Sequence, residues 1–190
     1  MFPHQVWSIA TTEPVLYLTF DDGPTAGITD WVLDELKKHN AQATFFLVGQ
    51  NAEQNPLLVK RMLREGHSVG NHTQRHLNGW LTENKTYLKD VLRCHSVIPG
   101  NLFRPPYGRI TKTQVRNLKS KFRIIMWDVL SGDFDMDISR EKCLNNVIRN
   151  AGRGSIVVFH DSKKAMSRLQ YALPRVLRFF ARKGFRFHAL

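Results

Sequence analysis

Ionisable side chains follow five predicted strands of this chain, and their types suit hydrolytic chemistry at a metal ion. In parallel α/β proteins the carboxyl ends of the strands share one rim, and ligands bind there. Because five separate strands each place such a group at one rim, a purely structural role for these residues is disfavoured. The sequence therefore predicts a single polar site. Its candidate members are Asp21, Asp22, His72, His76, Arg104, Asp128 and His160.

A metal site is predicted from a histidine pair and one aspartate. His72 and His76 are four residues apart, which puts both imidazoles on one side of a helical turn. With one carboxylate of Asp21 and Asp22 they supply three ligands and leave positions open for water and substrate, as in catalytic zinc sites. Zn²⁺ is the first candidate, and Co²⁺, Ni²⁺, Mn²⁺ or Fe²⁺ also fit such ligands. The alternative is two polar loop histidines without a metal.

Proton transfer is the predicted task of the other polar residues. Successive side chains on a strand point in opposite directions, so Asp21 and Asp22 can serve the substrate and the metal separately. His160 titrates near neutrality and suits a general acid, and Asp128 on a neighbouring strand can orient it. Arg104 can pair with Asp21. Taken singly, these residues also fit a solvated turn, a hydrogen-bonded core histidine and a surface arginine.

Strands and helices alternate along the chain, which predicts parallel βα units. The strand candidates are residues 15–20, 43–48, 67–70, 102–103, 123–127, 155–159 and 185–190. Six amphipathic helices lie between them, the first with Thr29 as a candidate N-cap. A closed eight-stranded barrel typically needs about 250 residues. The pattern therefore predicts an incomplete or distorted barrel in one domain, residues 1–190, with residues 1–14 as an N-terminal extension.

Composition leaves the partner open. The chain has 28 Lys and Arg against 16 Asp and Glu, a net charge of +12, with basic residues spread along its length. This charge favours an acidic glycan, an anionic membrane or nucleic acid, or provides a solvated surface. The absence of an RNA-binding aromatic signature, a zinc-finger spacing or a long basic run argues against nucleic acid. Cys94 and Cys143 form no CxxC pair and are predicted to be free, buried thiols.

Residues 1–10, MFPHQVWSIA, lack the charged start and the long apolar stretch of a signal peptide. No segment approaches the roughly 18 to 20 apolar residues of a membrane span, so we expect no transmembrane segment. The chain is expected to be intracellular or a trimmed form of an exported protein. The oligomeric state is left open.

Five motifs, in this order, resemble those of the NodB-homology polysaccharide deacetylases, carbohydrate esterase family 4. They are Thr19-Phe20-Asp21-Asp22-Gly23-Pro24, His72-Thr73-Gln74-Arg75-His76, Arg104-Pro105-Pro106-Tyr107-Gly108, Trp127-Asp128-Val129 and Ile156-Val157-Val158-Phe159-His160-Asp161. The first two motifs, at this separation, carry most of the signal. The resemblance covers residues 15–190 and implies a distorted, incomplete (β/α)7 barrel of the NodB-like glycoside hydrolase/deacetylase type.

The resemblance also implies a role for each matching residue. Three residues would bind the divalent metal: Asp22, His72 and His76. Asp21 would be the general base, held by Arg104. His160 would be the general acid, tuned by Asp128.

The substrate would meet a second set of residues in this family. The Tyr107 N–H would help to form the oxyanion hole. The other implied substrate-binding residues are Pro106, Trp127, Ile156 and Val158. The fourth motif departs from many relatives, which carry a second Asp two residues after the first and an aromatic residue at the end. This chain has Leu130 at that position, followed by Asp133, Phe134 and Asp135, which predicts a different substrate groove.

The implied activity is metal-dependent hydrolysis of N-acetyl groups on a carbohydrate such as peptidoglycan or a chitin-like polymer. One alternative is removal of O-acetyl groups from a xylan-like glycan. Another is a glycan-binding protein with a silent site, and a nucleic-acid module is favoured only by the net charge. Family members are usually exported or associated with the cell envelope, and a cytoplasmic location is the alternative because no export signal is visible.

Overall fold

A computed structural model describes residues 4–190 and shows a curled parallel sheet with helices packed on its outer face. The strands are β1 (Gln5–Val6), β2 (Val15–Asp21), β3 (Thr44–Leu47), β4 (Ser68–Asn71), β5 (Leu102–Phe103), β6 (Arg123–Ile125), β7 (Val129–Leu130), β8 (Ile156–His160) and β9 (Arg186–Phe187). Their order is β1-β6-β5-β4-β3-β2-β8-β7, and β9 pairs with β2. No ladder within residues 4–190 joins β1 to β7, so the barrel is incomplete, as the sequence predicts.

Each of the seven predicted strands has a counterpart, but β1 and β7 were not expected. Both contain two residues, too few for an alternating pattern to show. β7 follows β6 after a gap of three residues and pairs with β8 in parallel, with Val129 opposite Val157. The single strand predicted over residues 123–127 is therefore shorter than expected, and the chain continues into a separate edge strand.

Seven α-helices within residues 4–190 cover the sheet. They are α1 (Ile28–Lys37), α2 (Gly49–Gln54), α3 (Pro56–Arg64), α4 (Asn84–His95), α5 (Lys112–Leu118), α6 (Arg140–Ile148) and α7 (Met166–Arg182). The sequence predicts all but α2. Thr29 is not the N-cap of α1: that position is Gly27, and Thr29 lies in the first turn. None of these helices in residues 4–190 is long and apolar enough to cross a membrane.

Strand β2 lies in the middle of the sheet, between β3 and β8. Phe20 points into the main core, where its ring stacks on Phe45 and Phe159 at centroid distances of 5.1 and 6.0 Å. Because side chains alternate along a strand, Asp21 points away from this core. The register places Asp21 opposite His160, the last residue of β8. Burial of one strand face thus positions two polar residues side by side at the rim.

Candidate active site and metal centre

Asp21 is held by a fully buried arginine, as the sequence predicts. Arg104 Nη1 donates to Asp21 Oδ1 at 2.7 Å and to Thr19 Oγ1 at 2.7 Å. The other guanidinium nitrogens donate to the carbonyl oxygens of Ile125 and Met126 at 3.2 and 2.8 Å. A buried guanidinium is stabilised only when a counter-charge and hydrogen-bond acceptors surround it. Here these contacts fix both its position and that of the Asp21 carboxylate.

The predicted metal ligands converge. One ligand atom from each of Asp22, His72 and His76 lies within 4.8 Å of the other two. Asp22 Oδ1 is 3.2 Å from His76 Nε2 and 3.9 Å from His72 Nε2. His72 Nδ1 donates to the Arg104 carbonyl oxygen at 2.8 Å, which leaves the Nε2 lone pair for a metal. The set of one carboxylate and two imidazoles fits Zn²⁺ and related divalent ions.

Two of these ligands have shifted pKa values that suit metal binding. Burial lowers the pKa of His72 to about 4, against the opposing effect of the Asp21 carboxylate, so the imidazole is neutral. Burial acts to raise the pKa of Asp22, but the hydrogen bond with His76 and nearby histidine charge outweigh it and lower the pKa to about 2. Metals bind neutral imidazole and ionised carboxylate, so neither ligand needs to lose a proton near neutral pH.

The histidine pair does not lie on a helical turn. Residues 72–78 form an irregular loop in which Thr73 and His76 adopt positive φ angles of 64° and 57°. The buried Asp90 carboxylate on α4 accepts from the backbone N–H groups of Gln74 and Arg75 at 2.8 and 3.0 Å. The loop therefore brings the two imidazoles together, and hydrogen bonds to Asp90 hold its backbone in place. The sequence spacing was informative, but the helical turn used to explain it is absent.

His160 is oriented by Asp133 and not by Asp128. Its Nδ1 lies 2.8 Å from Asp133 Oδ1, and its backbone N–H donates to Asp133 Oδ2 at 2.7 Å. Burial opposes protonation of His160, but the fully buried Asp133 carboxylate, with Asp21 and Asp22 further off, outweighs it and raises the pKa to about 9. The imidazole is therefore cationic at neutral pH in the metal-free protein.

Asp128 lies far from His160 because it precedes β7, which runs beside β8. It accepts from the Ile156 N–H at 2.7 Å and from Ser155 Oγ at 2.8 Å, at the start of β8. His160 is at the opposite end of that strand. The chain must run along β7 beside β8 before it reaches His160, and Asp133 is the acidic residue found there. The predicted pairing of Asp128 with His160 is thus corrected, and the missed signal is Asp133 in the sequence SGDFD.

Asp161 is a second acidic residue whose role the sequence did not reveal. Its carboxylate accepts from the Gly23 N–H at 3.0 Å and from Thr29 Oγ1 at 2.5 Å. Burial raises its pKa to about 7, and the Asp22 charge adds to the shift. A Cβ at position 23 would collide with this carboxylate, so glycine is required there. Asp161 therefore fixes the turn that carries Asp22, and it uses the hydroxyl of Thr29 that the sequence assigned to a cap.

These groups surround a cavity of about 410 Å³. Its walls are Asp21, Asp22, His72, His76, Tyr107, Trp127, Leu130, Phe134, Val158, His160 and Lys164. Leu130, Phe134 and Lys164 are wall residues that were not predicted as substrate-binding. Phe134 packs edge-on against His160 at 5.0 Å between ring centroids, and Tyr107 packs against His76 at 4.7 Å.

Two predicted substrate residues lie outside the cavity wall. Ile156 is fully buried beneath the rim, against Phe46, Leu102 and Ile125, because it is two residues before Val158 on the same face of β8. Pro106 is buried at the start of a short 3-10 turn, Pro106–Gly108. That turn gives Tyr107 a positive φ of 60° and directs the residue towards the cavity.

Comparison with known proteins found relatives among the polysaccharide deacetylases. The sequence matches the family model for polysaccharide deacetylases over residues 8–122. It is 34% identical over 188 residues to a peptidoglycan-N-acetylglucosamine deacetylase of Bacillus cereus, covering 95% of this chain and 88% of that protein. It is 35% identical over 170 residues to the peptidoglycan-N-acetylmuramic acid deacetylase PdaC of Bacillus subtilis, covering 83% of this chain and 36% of that protein.

The fold agrees as well. The crystal structure of the Bc1960 peptidoglycan N-acetylglucosamine deacetylase superimposes with a TM-score of 0.92 at 33% sequence identity, covering 98% of this chain and 91% of that one. The matched family residues include the first three motifs, and the parallel half-barrel is common to both structures. This chain therefore belongs to the polysaccharide deacetylase family, the NodB-homology carbohydrate esterases of family 4 that its motifs resemble.

Proposed function

We propose that this chain hydrolyses the N-acetyl groups of hexosamines in peptidoglycan, with the help of a divalent metal ion. The observation that carries the proposal is the convergence of Asp21, the three-ligand cluster and a cationic His160 around one cavity. Relatives named as peptidoglycan deacetylases, similar over most of this chain, support the choice of substrate.

Asp22, His72 and His76 are the residues that would hold the metal. When bound, such an ion polarises the acetyl carbonyl and lowers the pKa of water. Zn²⁺ is the first candidate. The neutral state of His72 and the ionised state of Asp22 support binding without loss of a proton from either residue near neutral pH.

The two remaining ionisable groups divide the proton transfers. Asp21, held by Arg104, accepts a proton from the attacking water. His160, kept cationic by Asp133, donates a proton to the nitrogen of the leaving amine as the C–N bond breaks. The products are acetate and the free amino sugar. The backbone N–H of Tyr107 stabilises the charge that develops on the carbonyl oxygen.

The apolar part of the cavity wall accommodates the acetyl methyl group. Trp127, Val158 and Leu130 supply this surface, and Phe134 stands beside His160. A pocket of this kind distinguishes acyl groups by size, because one extra methylene changes binding by about 1–3 kcal/mol. Propionyl sugars are therefore expected to react more slowly than acetyl sugars.

The test is acetate release by the Zn²⁺-loaded protein from three substrates: peptidoglycan, chitooligosaccharides and acetylxylan. The proposal expects release from peptidoglycan and a loss of activity with a chelator that is restored by added metal. Release from acetylxylan alone would identify an O-acetyl esterase. Metal bound without release from any of the three would favour a glycan-binding protein with a silent site.

A further inference from the structure

The positive charge of this protein is concentrated in its C-terminal part. Residues 138–190 contain twelve Lys and Arg but two acidic residues, Glu141 and Asp161. This segment therefore contributes +10 of the net charge of +12. Basic residues occur along the whole chain, but in residues 1–137 the 16 Lys and Arg are nearly balanced by 14 Asp and Glu. Helix α7 contains four arginines and no carboxylate at all.

Three of these arginines, Arg175, Arg178 and Arg182, are exposed, and Arg168 is half-buried near the start of the same face of α7. Arg168, Arg175, Arg178 and Arg182 follow one another at intervals of seven, three and four residues, which aligns them along the helix. We call these four residues the basic stripe. At a rise of 1.5 Å per residue the stripe is about 21 Å long. Lys164, in the turn before α7, lines the catalytic cavity, so the stripe runs outward from that end.

A groove lies beside the stripe, between α6 and α7, with a volume of about 590 Å³. Its half-buried apolar residues are Leu144, Ile148 and Phe179, and its exposed cationic residues are Arg175, Arg178, Arg182 and Lys183. The apolar side chains are thus less exposed than the cations around them. A groove with apolar side chains at its base and cationic side chains along its edge suits an anionic polymer better than a small neutral ligand.

The cations of the groove have no acidic partners in the described structure. Within residues 4–190, no carboxylate lies within 4.0 Å of the charged nitrogens of Arg175, Arg178, Arg182 or Lys183. Arg175 and Arg178 donate to helix carbonyl oxygens of their own helix instead. Like charges on adjacent turns repel one another, and a bound anion would remove that repulsion.

We propose that the basic stripe and the groove bind a linear polyanion that bears phosphates along its length. Cations aligned over about 21 Å match a polymer and exceed the reach of one small anion. The less exposed position of the apolar residues disfavours a flat membrane surface, into which apolar side chains would have to project. The proposal does not depend on the proposed deacetylase activity.

The aromatic residues argue against nucleic acid as the polymer. Binding of single-stranded nucleic acid usually needs aromatic faces on which the bases stack. The Tyr171 ring has Arg175 at 3.8 Å and Arg140 at 4.8 Å from its centroid. The Phe179 ring has Lys183 at 4.4 Å. Cations already occupy these faces, so a polymer without bases fits better.

The experiment compares two variants with the same change in net charge. The stripe variant is Arg175→Gln, Arg178→Gln and Arg182→Gln. The control variant is Lys112→Gln, Arg116→Gln and Lys121→Gln, three exposed cations on and after α5. Binding of long-chain inorganic polyphosphate is measured by calorimetry at several salt concentrations. Circular dichroism and thermal unfolding check that both variants are folded, and acetate release from a chitooligosaccharide checks the catalytic site.

We expect the stripe variant to bind polyphosphate about tenfold more weakly than the wild type, at about half a kcal/mol per lost ion pair. Its slope of log K against log salt should fall by about 2, because three phosphate contacts are lost. The control variant should bind within about twofold of the wild type, and pyrophosphate should bind far more weakly than polyphosphate.

Five outcomes would overturn the proposal. Equal weakening in both variants would mean that net charge alone attracts the polymer, and no weakening in either would exclude this surface. Pyrophosphate binding as tight as polyphosphate binding would mean a single-anion site. A stripe-dependent preference for oligothymidylate, or for phosphatidylglycerol vesicles, over polyphosphate would assign the surface to nucleic acid or to a membrane.

Discussion

Two ion pairs flank the catalytic cavity, and their charges are arranged in opposite ways. In the Asp21–Arg104 pair the carboxylate lines the cavity and the cation is fully buried behind it. In the His160–Asp133 pair the imidazole lines the cavity and the carboxylate is fully buried. The buried member in each case determines which charge the substrate meets. The same kind of contact therefore presents a carboxylate on one side of the cavity and an imidazole on the other, which are the proposed base and the proposed acid.

The two pairs also differ in how they are held. Arg104 makes four hydrogen bonds, one of them to the Asp21 carboxylate, whereas Asp133 binds both the side chain and the backbone N–H of His160. Buried ion pairs contribute little net stability compared with apolar residues, but breaking one by removing a partner is costly. Conservative substitutions that remove one charge at a time can therefore separate catalysis from folding.

The largest effect is expected for Asp21→Asn. The amide cannot accept the proton from water, so kcat should fall by about 10³-fold, within the range for loss of a general base. Metal content, measured by elemental analysis, should stay at the wild-type level because Asp22 and the two histidines are unchanged. Loss of metal from this variant would contradict the separate roles of Asp21 and Asp22.

The next effect is expected for Arg104→Met, which leaves the Asp21 carboxylate buried without its counter-charge. The free energy of unfolding in urea should fall by about 3–5 kcal/mol. The double variant Arg104→Met with Asp21→Asn should be more stable than Arg104→Met alone, because no uncompensated charge remains. If the double variant is less stable than the single one, Arg104 acts through packing and not through the pair.

A smaller effect is expected for Asp133→Asn. Asp133 raises the pKa of His160 to about 9, and His160 must be protonated to act as the proposed acid. Removing this carboxylate lowers that pKa, so the alkaline limb of the pH–kcat profile should move to lower pH, with kcat reduced about 10²-fold.

Asp128→Asn is the matched control for this test. It changes an aspartate that contacts the start of β8 and not His160. Stability should fall by about 1 kcal/mol, the typical value for a hydrogen bond. The alkaline limb should stay in place. A shift of the limb in Asp128→Asn but not in Asp133→Asn would restore the partner that the sequence predicted.

A pH-dependent effect on stability is expected for Asp161→Asn, measured by urea unfolding of the metal-free protein. Burial raises the pKa of Asp161 in the folded state from 3.8 to about 7. The folded state therefore binds this proton more tightly, and the wild type loses stability as pH rises between these values. The variant lacks this loss, so its stability deficit relative to the wild type should shrink from about pH 4 to about pH 7. A deficit that is constant over this range would contradict the raised pKa.

The residues predicted best are those that follow long strands. Asp21 and His160 end strands of seven and five residues, whose apolar patterns are clear, and the register between them follows from parallel pairing. The contact between Arg104 and Asp21 and the convergence of Asp22, His72 and His76 were also predictable. Their motifs are specific enough to indicate the site without the fold.

The misplaced residues depend on features that leave little trace in a sequence. Strand β7 has two residues, too few for a recognisable pattern. The sequence therefore did not show that a separate strand forms there, or that Asp133 contacts His160 in place of Asp128. The histidine loop is stabilised by the distant Asp90, a tertiary contact that no local spacing encodes. The hydroxyl of Thr29 likewise binds a residue 132 positions away.

The open edge of the barrel has a consequence for how substrate preference can change. Leu130, a wall residue of the cavity, lies on β7, whose only strand neighbour in residues 4–190 is β8, and Phe134 follows in the loop beyond it. Asp21 belongs instead to β2, which is bordered on both sides by other strands. Substitutions of Leu130 and Phe134 can therefore accumulate without disturbing the interior strands. Directed evolution for a new acyl group or a new sugar should begin at Leu130 and Phe134.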